Sequence, residues 1–204
     1  MKLIVLSTPN FFVEEDQILT ALFEEGLDLL HIRKPASEPV LSERLLTLIP
    51  SQYHKNIVVH NHFYLKEEYG LRGIHLSQQE PIKPRDYRGK TTCTCYTLDQ
   101  LAEERKNGNH DYIFLDSIFS GITEDHRPSS FTTDQLHEAA RKGHIDRKVM
   151  ASGGISLENI QQLTEFGFGG AVVCGDLWQR FDVHRGLDYK SLLSHFRHLR
   201  KATE

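Results

Sequence analysis

Two segments join an apolar run to small residues in a way that suits phosphate binding. They are Lys148-Val-Met-Ala-Ser-Gly-Gly-Ile155, which carries Gly153 and Gly154, and Gly169-Gly-Ala-Val-Val-Cys-Gly175. Each run ends where side-chain bulk disappears and leads into a helix-like stretch, so backbone N–H groups can approach a phosphate. Polar residues close five other apolar runs: His31-Ile-Arg33-Lys34, His60-Asn61-His62, His75-Leu-Ser77-Gln78-Gln79-Glu80, Thr92-Cys-Thr94-Cys-Tyr96 and Asp116-Ser117. Strand side chains alternate, which puts His31 with Arg33 on one face and Thr92, Thr94 and Tyr96 on another, with Cys93 and Cys95 opposite.

Arg33 offers a planar fork suited to phosphate oxygens, whereas Lys34 points the other way if the strand stays regular. Glu80 and Asp116 supply oxygen ligands of the kind Mg²⁺ takes when it neutralises a diphosphate. His60 and His62 alternate like a ligand pair, but no third ligand follows at a defined spacing, and zinc is not expected there.

The elements that must carry these groups follow from hydrophobic periodicity. Strands are expected at 3–7, 28–33, 56–61, 73–77, 91–96, 111–118, 148–153 and 170–175. Helices are expected near 14–25, 40–50, 63–69, 97–107, 132–143, 156–166 and 187–201. Thr97 with Gln100 and Thr132 with Gln135 match capping boxes, and Gly108, Gly143 and Gly167 fall at helix C-caps. The stretch around 80–88, with Pro81 and Pro84, reads as a loop. Eight strand–helix alternations predict a (β/α)8 TIM barrel of the α/β class, spanning 1–204 as a single domain. In such a barrel, groups at strand C-termini face the ligand.

The net charge of −4 is spread without a basic block, which argues against nucleic acid as a partner and favours a small molecule. No apolar run approaches the roughly 18 residues of a membrane span, and the start lacks a secretory signal, so a cytoplasmic protein is expected. Three cysteines, Cys93, Cys95 and Cys174, read as reduced packed thiols. Of the twelve histidines, His137, His144, His195 and His198 stand in charged segments and are expected at the surface. Amphipathic outer helices leave a homo-oligomer open.

At Leu30-His-Ile-Arg33, Ile57-Val-Val-His-Asn61, Gly73-Ile-His-Leu-Ser-Gln78, Asp111-Tyr-Ile-Phe114 with Ser117-Ile-Phe119, Ala151-Ser-Gly-Gly-Ile155 with Asn159, and Ala171-Val-Val173, the chain resembles the thiamine phosphate synthase and TenI superfamily. The resemblance runs from about residue 27 to residue 178. It implies a (β/α)8 transferase of thiamine biosynthesis that joins hydroxymethylpyrimidine diphosphate to thiazole phosphate and releases diphosphate, with Mg²⁺ and basic side chains stabilising the leaving group. On that pattern His31, Arg33, Asn61 and Thr94 lie at the pyrimidine diphosphate, with Arg33 and Thr94 catalytic. Gly121 and Thr123 belong to the thiazole phosphate loop, and Gly154, Val173 and Cys174 offer backbone contacts to that phosphate.

The chain departs from the pattern at five places. Pro35 stands where the strand-two motif has a lysine, His62 and Glu80 stand at the two metal-binding aspartates, and Glu124 replaces a lysine after the phosphate loop. Tyr96 stands where TenI-type tautomerases, which aromatise a thiazole phosphate, carry their histidine base. The synthase is the first expectation. A tautomerase, with His31, His60, His62 or His75 as substitute base, and a non-catalytic protein that binds a thiamine precursor are the alternatives.

Overall fold

The computed structural model describes residues 1–78, 80–121, 128–181 and 189–204. Eight parallel strands pair in sequence order and close into a barrel: β1 (Lys2–Leu6), β2 (Leu29–Ile32), β3 (Ile57–Val59), β4 (Gly73–Leu76), β5 (Lys90–Cys95), β6 (Tyr112–Asp116), β7 (Val149–Ser152) and β8 (Gly170–Val173). Pairing of Lys2 with Gly170 and of Ile4 with Leu29 shuts the ring at β1. The chain is therefore a (β/α)8 barrel.

Alternation along the strands builds two apolar layers. Ile4, Leu29, Tyr112, Phe114, Met150 and Val172 fill the barrel interior. Leu3, Val5, Leu30, Ile32, Val59, Ile113, Leu115 and Ala171 face outward and pack under the helices. Those helices are α1 (Glu15–Glu24), α2 (Pro39–Leu48), α3 (Leu65–Glu68), α4 (Leu98–Asn107), α5 (Thr133–Arg141), α6 (Gln162–Glu165), α7 (Gly175–Trp178) and α8 (Lys190–Ala202). None of the described helices is long and apolar enough to cross a membrane. At the base, Asp28 accepts from the Leu3 amide at 2.8 Å and from Arg200 at 2.7 Å, tying β1 to α8.

Several expected boundaries shift. All eight strands stop one or two residues before the expected end, because their last residues leave the ladder to form the mouth. The 156–166 segment turns mostly through i→i−3 bonds, from Asn159, Gln162, Leu163 and Thr164, and only Gln162–Glu165 is α-helical. A 3-10 turn at Ser51–Asn56 and helix α7 occupy stretches where no helix is expected. Thr132 and Gln135 form the reciprocal capping box. Thr97 accepts from the Gln100 amide, but the Gln100 side chain reaches the Tyr96 amide instead of the Thr97 one.

His195 corrects a surface expectation. It shares the buried face of α8 with Leu192, Phe196 and Leu199, and its Nε2 lies 2.6 Å from Asp176 Oδ2. Helical spacing places it inward, and the α7 carboxylate satisfies it.

Candidate active site

A cavity of about 410 Å³ opens at the C-terminal mouth of the barrel. Its floor is a histidine cluster whose protons can be assigned from the hydrogen-bond network. His31 is fully buried, with Nε2 2.6 Å from the Tyr112 hydroxyl and Nδ1 2.9 Å from His60 Nε2. Burial holds the Tyr112 phenol above its ordinary pKa, and the Arg72 guanidinium beside it can only donate. The Tyr112 O–H therefore donates to His31 Nε2. His31 must then carry its own proton on Nδ1 and donate to His60 Nε2, which leaves the His60 proton on Nδ1.

His75 stacks on His60 with ring centroids 4.0 Å apart. Thr92 Oγ1 reaches the Ile74 carbonyl at 3.4 Å and lies 2.8 Å from His75 Nδ1. The Thr92 proton goes to the carbonyl, so His75 donates from Nδ1 and accepts at Nε2 from Thr94 Oγ1 at 2.9 Å. Thr94 lines the cavity with its proton committed to His75 and its lone pairs free to accept from a ligand.

Desolvation is the first cause that keeps all three imidazoles uncharged. It holds His31 and His60 well below the usual 6.5 and His75 at about 3. His75 and Arg72 add to it at His31, His75, His31 and Arg33 add to it at His60, and His110 and Arg33 add to it at His75.

The walls come from strand ends and loops. Arg33 is the cationic side chain that lines the cavity among the described residues. Cys174 also lines it, its thiol pushed up to about 11 by burial although the Arg33 and Lys34 charges pull the other way. Lys34 does not reach the cavity. It is 1% exposed, and its ammonium sits 2.6 Å from Glu15 Oε1, 2.9 Å from the Asn10 carbonyl and 4.5 Å above the Phe11 ring. Lys34 thus cannot stand in for a lysine at Pro35.

The glycine segments meet as expected of one site: Gly153, Gly154 and Ile155 line the same cavity as Val172, Cys174 and Gly175. Gly153 and Gly154 have φ of 86° and 66°. A Cβ on Gly153 would lie 2.3 Å from Ser117 Oγ, and one on Gly154 would lie 2.4 Å from the Ser120 carbonyl oxygen. Glycine is therefore required for conformation and for the close approach of the β7 loop to the loop after β6. Asn159 fixes that loop, donating to the Gly154 carbonyl at 2.8 Å and accepting from the Ser156 amide at 2.9 Å. Among the described residues, the amides of Gly154, Ile155 and Gly175 donate to no protein acceptor.

The remaining expected site residues are distributed as follows. Gly121 lines the cavity, and Thr123 and Glu124 lie outside the described residues. His31 lies beneath the cavity wall, and Asn61 accepts from the Lys34 amide at 3.2 Å, bracing the turn after β2. Val173 packs outward under the helices, while its neighbour Val172 faces the cavity. Asp116 lines the cavity and accepts from Ser152 Oγ at 2.8 Å.

The two metal candidates are not brought together at this cavity. Glu80 is exposed on the loop after β4, where its backbone bonds Ser77. His62 has φ 53° and its Nε2 lies 2.9 Å from the Ser37 carbonyl. Asp116 is the single carboxylate among the described cavity-lining residues. A hard, oxygen-seeking Mg²⁺ does not fit a set composed of one carboxylate and neutral imidazoles. His31 and His60 do not share an ion either: nitrogens 2.9 Å apart are joined by a proton.

Sequence patterns alone could have found part of what was missed. Tyr112, Phe114 and Asp116 alternate along β6, so period two places the relay tyrosine inside with the cavity acid.

Comparison with known proteins gives consistent matches. A family model described as thiamine monophosphate synthase matches residues 4–177. A thiamine-phosphate synthase of Latilactobacillus sakei subsp. sakei is 24% identical over 140 residues, covering 66% of this chain and 62% of that protein. One of Nitrosococcus oceani is 27% identical over 143 residues, covering 68% and 64% respectively. The chain thus spans a little under two thirds of the length of these curated relatives. A solved thiamine phosphate pyrophosphorylase from Bacteroides thetaiotaomicron is 49% identical, with a TM-score of 0.91 over 100% of this chain and 98% of its own. Another, from Pyrococcus furiosus, shares the fold at 18% identity and a TM-score of 0.73, covering 98% of this chain and 94% of its own.

Proposed function

The chain belongs to the thiamine monophosphate synthase family, and on that premise we propose that it joins hydroxymethylpyrimidine diphosphate to thiazole phosphate, releasing diphosphate. The observation that carries this is the convergence on one cavity of Arg33, Thr94 and the amides of Gly154, Ile155 and Gly175, which donate to no acceptor among the described residues. The amides suit the phosphate of the thiazole, which orients its ring nitrogen. Thr94 accepts from the amino group of the pyrimidine. Arg33 meets the diphosphate as the carbon–oxygen bond to it breaks and the carbon–nitrogen bond to the thiazole forms. His31 and Asn61 act from behind these groups, His31 through His60 and Asn61 through the turn after β2. Gly121, Thr123, Val173 and Cys174 complete the thiazole phosphate side of the proposal. It includes a single barrel domain acting in the cytoplasm on small phosphorylated substrates.

Incubation of the protein with both substrates and Mg²⁺ tests the proposal by release of diphosphate and formation of thiamine phosphate. Absence of product above background at high enzyme concentration overturns it.

A second reading is favoured by the histidine floor and by the poor fit to Mg²⁺. His60 lines the cavity at the end of the Tyr112–His31–His60 relay, and its Nδ1–H meets no acceptor among the described residues. Such a group can move a proton within a thiazole phosphate tautomer: the Nδ1 proton of His60 goes to one ring atom, water in the cavity takes the proton leaving the other, and that water returns it to His60. His75, held by two threonines, and His62, turned toward Ser37, are less available. Isomerisation of the tautomer without pyrimidine, lost in His60→Ala, supports this reading over the synthase. Saturable binding of the precursor with neither turnover leaves the binding protein.

A further inference from the structure

A second cluster of metal-binding side chains lies on the opposite face of β5 from Thr94. Cys93 and Cys95 point outward there, toward α4, and border a cleft of about 270 Å³ together with Glu104 of α4 and His110 of the following loop; the cleft adjoins the mouth cavity and shares Ser77, Gln78, Thr94 and Tyr96 with it. One donor atom each from Cys93, Glu104 and His110 lies within 4.8 Å of the other two. Zinc ligands at about 2.0–2.3 Å from the ion stand about 3.3–3.8 Å apart around a tetrahedron. Side-chain rotation closes the difference.

The hydrogen bonds around His110 prepare the site. Thr91 Oγ1 donates to the Asn109 carbonyl at 3.0 Å, so it accepts from His110 Nδ1 at 3.1 Å. Nδ1 then carries the proton, and the Nε2 lone pair faces Glu104 Oε2 at 3.3 Å. Two electron-pair donors confront each other, and a cation between them satisfies both. An outer partner that fixes the ring of a ligating histidine is a usual accompaniment of a metal site. The cleft supplies an entry path and an open fourth position.

We propose that Cys93, Glu104 and His110, none of which lines the mouth cavity, bind one divalent transition metal of the zinc class in the adjoining cleft. The thiolate and imidazole select such an ion over Mg²⁺.

Titration of the reduced full-length protein with Co²⁺ tests the site. One equivalent should produce a thiolate-to-cobalt charge-transfer band and the intense visible bands of a tetrahedral ion, and excess Mg²⁺ should not remove them. Cys93→Ser should abolish the charge-transfer band, and His110→Gln should weaken binding about tenfold or more. Cys174→Ser, which alters the thiol of the mouth cavity, should leave the band in place. If Cys93→Ser fails to fold, His110→Gln still decides the matter. No band at stoichiometric Co²⁺, full affinity in His110→Gln, or loss of the band in Cys174→Ser overturns the proposal.

Discussion

Glu15→Gln removes the anionic partner of a lysine that is 1% exposed while keeping the side chain's shape. Unit charges 2.6 Å apart attract by about 6 kcal/mol at an effective dielectric near 20. Against this stands desolvation, which is the first cause of both shifts: Glu15 is raised above 4.5 and Lys34 lowered below 10.5. The second carboxylate oxygen of Glu15 has no partner among the described residues, so the pair is incompletely compensated. Removing one member of such a pair strands the other, at a cost of about 3–5 kcal/mol. In a chain of this size that lowers Tm by about 6–20 °C.

Urea unfolding of the variant should show a reduced midpoint with unchanged slope. The pH dependence adds a sign. Without Glu15 the folded pKa of Lys34 falls further below its unfolded value, and the unfolded state binds more protons in that window. Stability of the variant therefore rises with pH through the window, and its deficit shrinks under mildly alkaline conditions. Glu15→Leu with Lys34→Met should recover most of the loss. A deficit below about 1 kcal/mol, or one that is constant with pH, refutes this account of the buried pair.

Further outcomes are expected at the site. Arg33→Ala should weaken binding of the pyrimidine diphosphate by about 10–100-fold, the worth of a charge-assisted bond, and more than that of thiazole phosphate; calorimetry showing equal losses contradicts the assignment. The three depressed imidazoles remain neutral in the folded barrel but titrate near 6.5 when unfolded. Stability is thus complete above that pH and should fall by up to about 4 kcal/mol per pH unit once the unfolded rings are charged; a flat profile between pH 6 and 4.5 in urea melts would count against a neutral floor. Gly153→Ala, whose Cβ would meet Ser117 at 2.3 Å with φ at 86°, should cost about 1–3 kcal/mol and open the mouth, read as a lower Tm and weaker binding of thiazole phosphate.

The barrel was legible because alternation and capping are local. Each strand carries its own inward and outward residues, and Thr132 with Gln135 marks a helix start whatever surrounds it. The polar strand ends also announced the mouth, since Arg33, Thr94, Gly121, Gly154 and Cys174 do line one cavity. Pairings across the fold were not legible. Nothing near Lys34 shows that Glu15, on another element, draws its ammonium away from the ligand. His31 looked like a contact residue, yet Tyr112, 81 positions later, and His60 make it the middle of a buried relay. His195 looked solvated until Asp176 supplied a partner. In each case the deciding charge or hydrogen bond arrives from a distant segment, which periodicity cannot register.

The central claim is that main-chain amides at the tips of β7 and β8 grip a phosphate ester inside the barrel mouth. Calorimetric titration of the wild-type protein with thiazole phosphate and with the same thiazole lacking its phosphate tests it most directly. Tighter binding of the ester by about tenfold or more is the predicted result, the worth of one charge-assisted contact. Equal affinity for the two would contradict the claim.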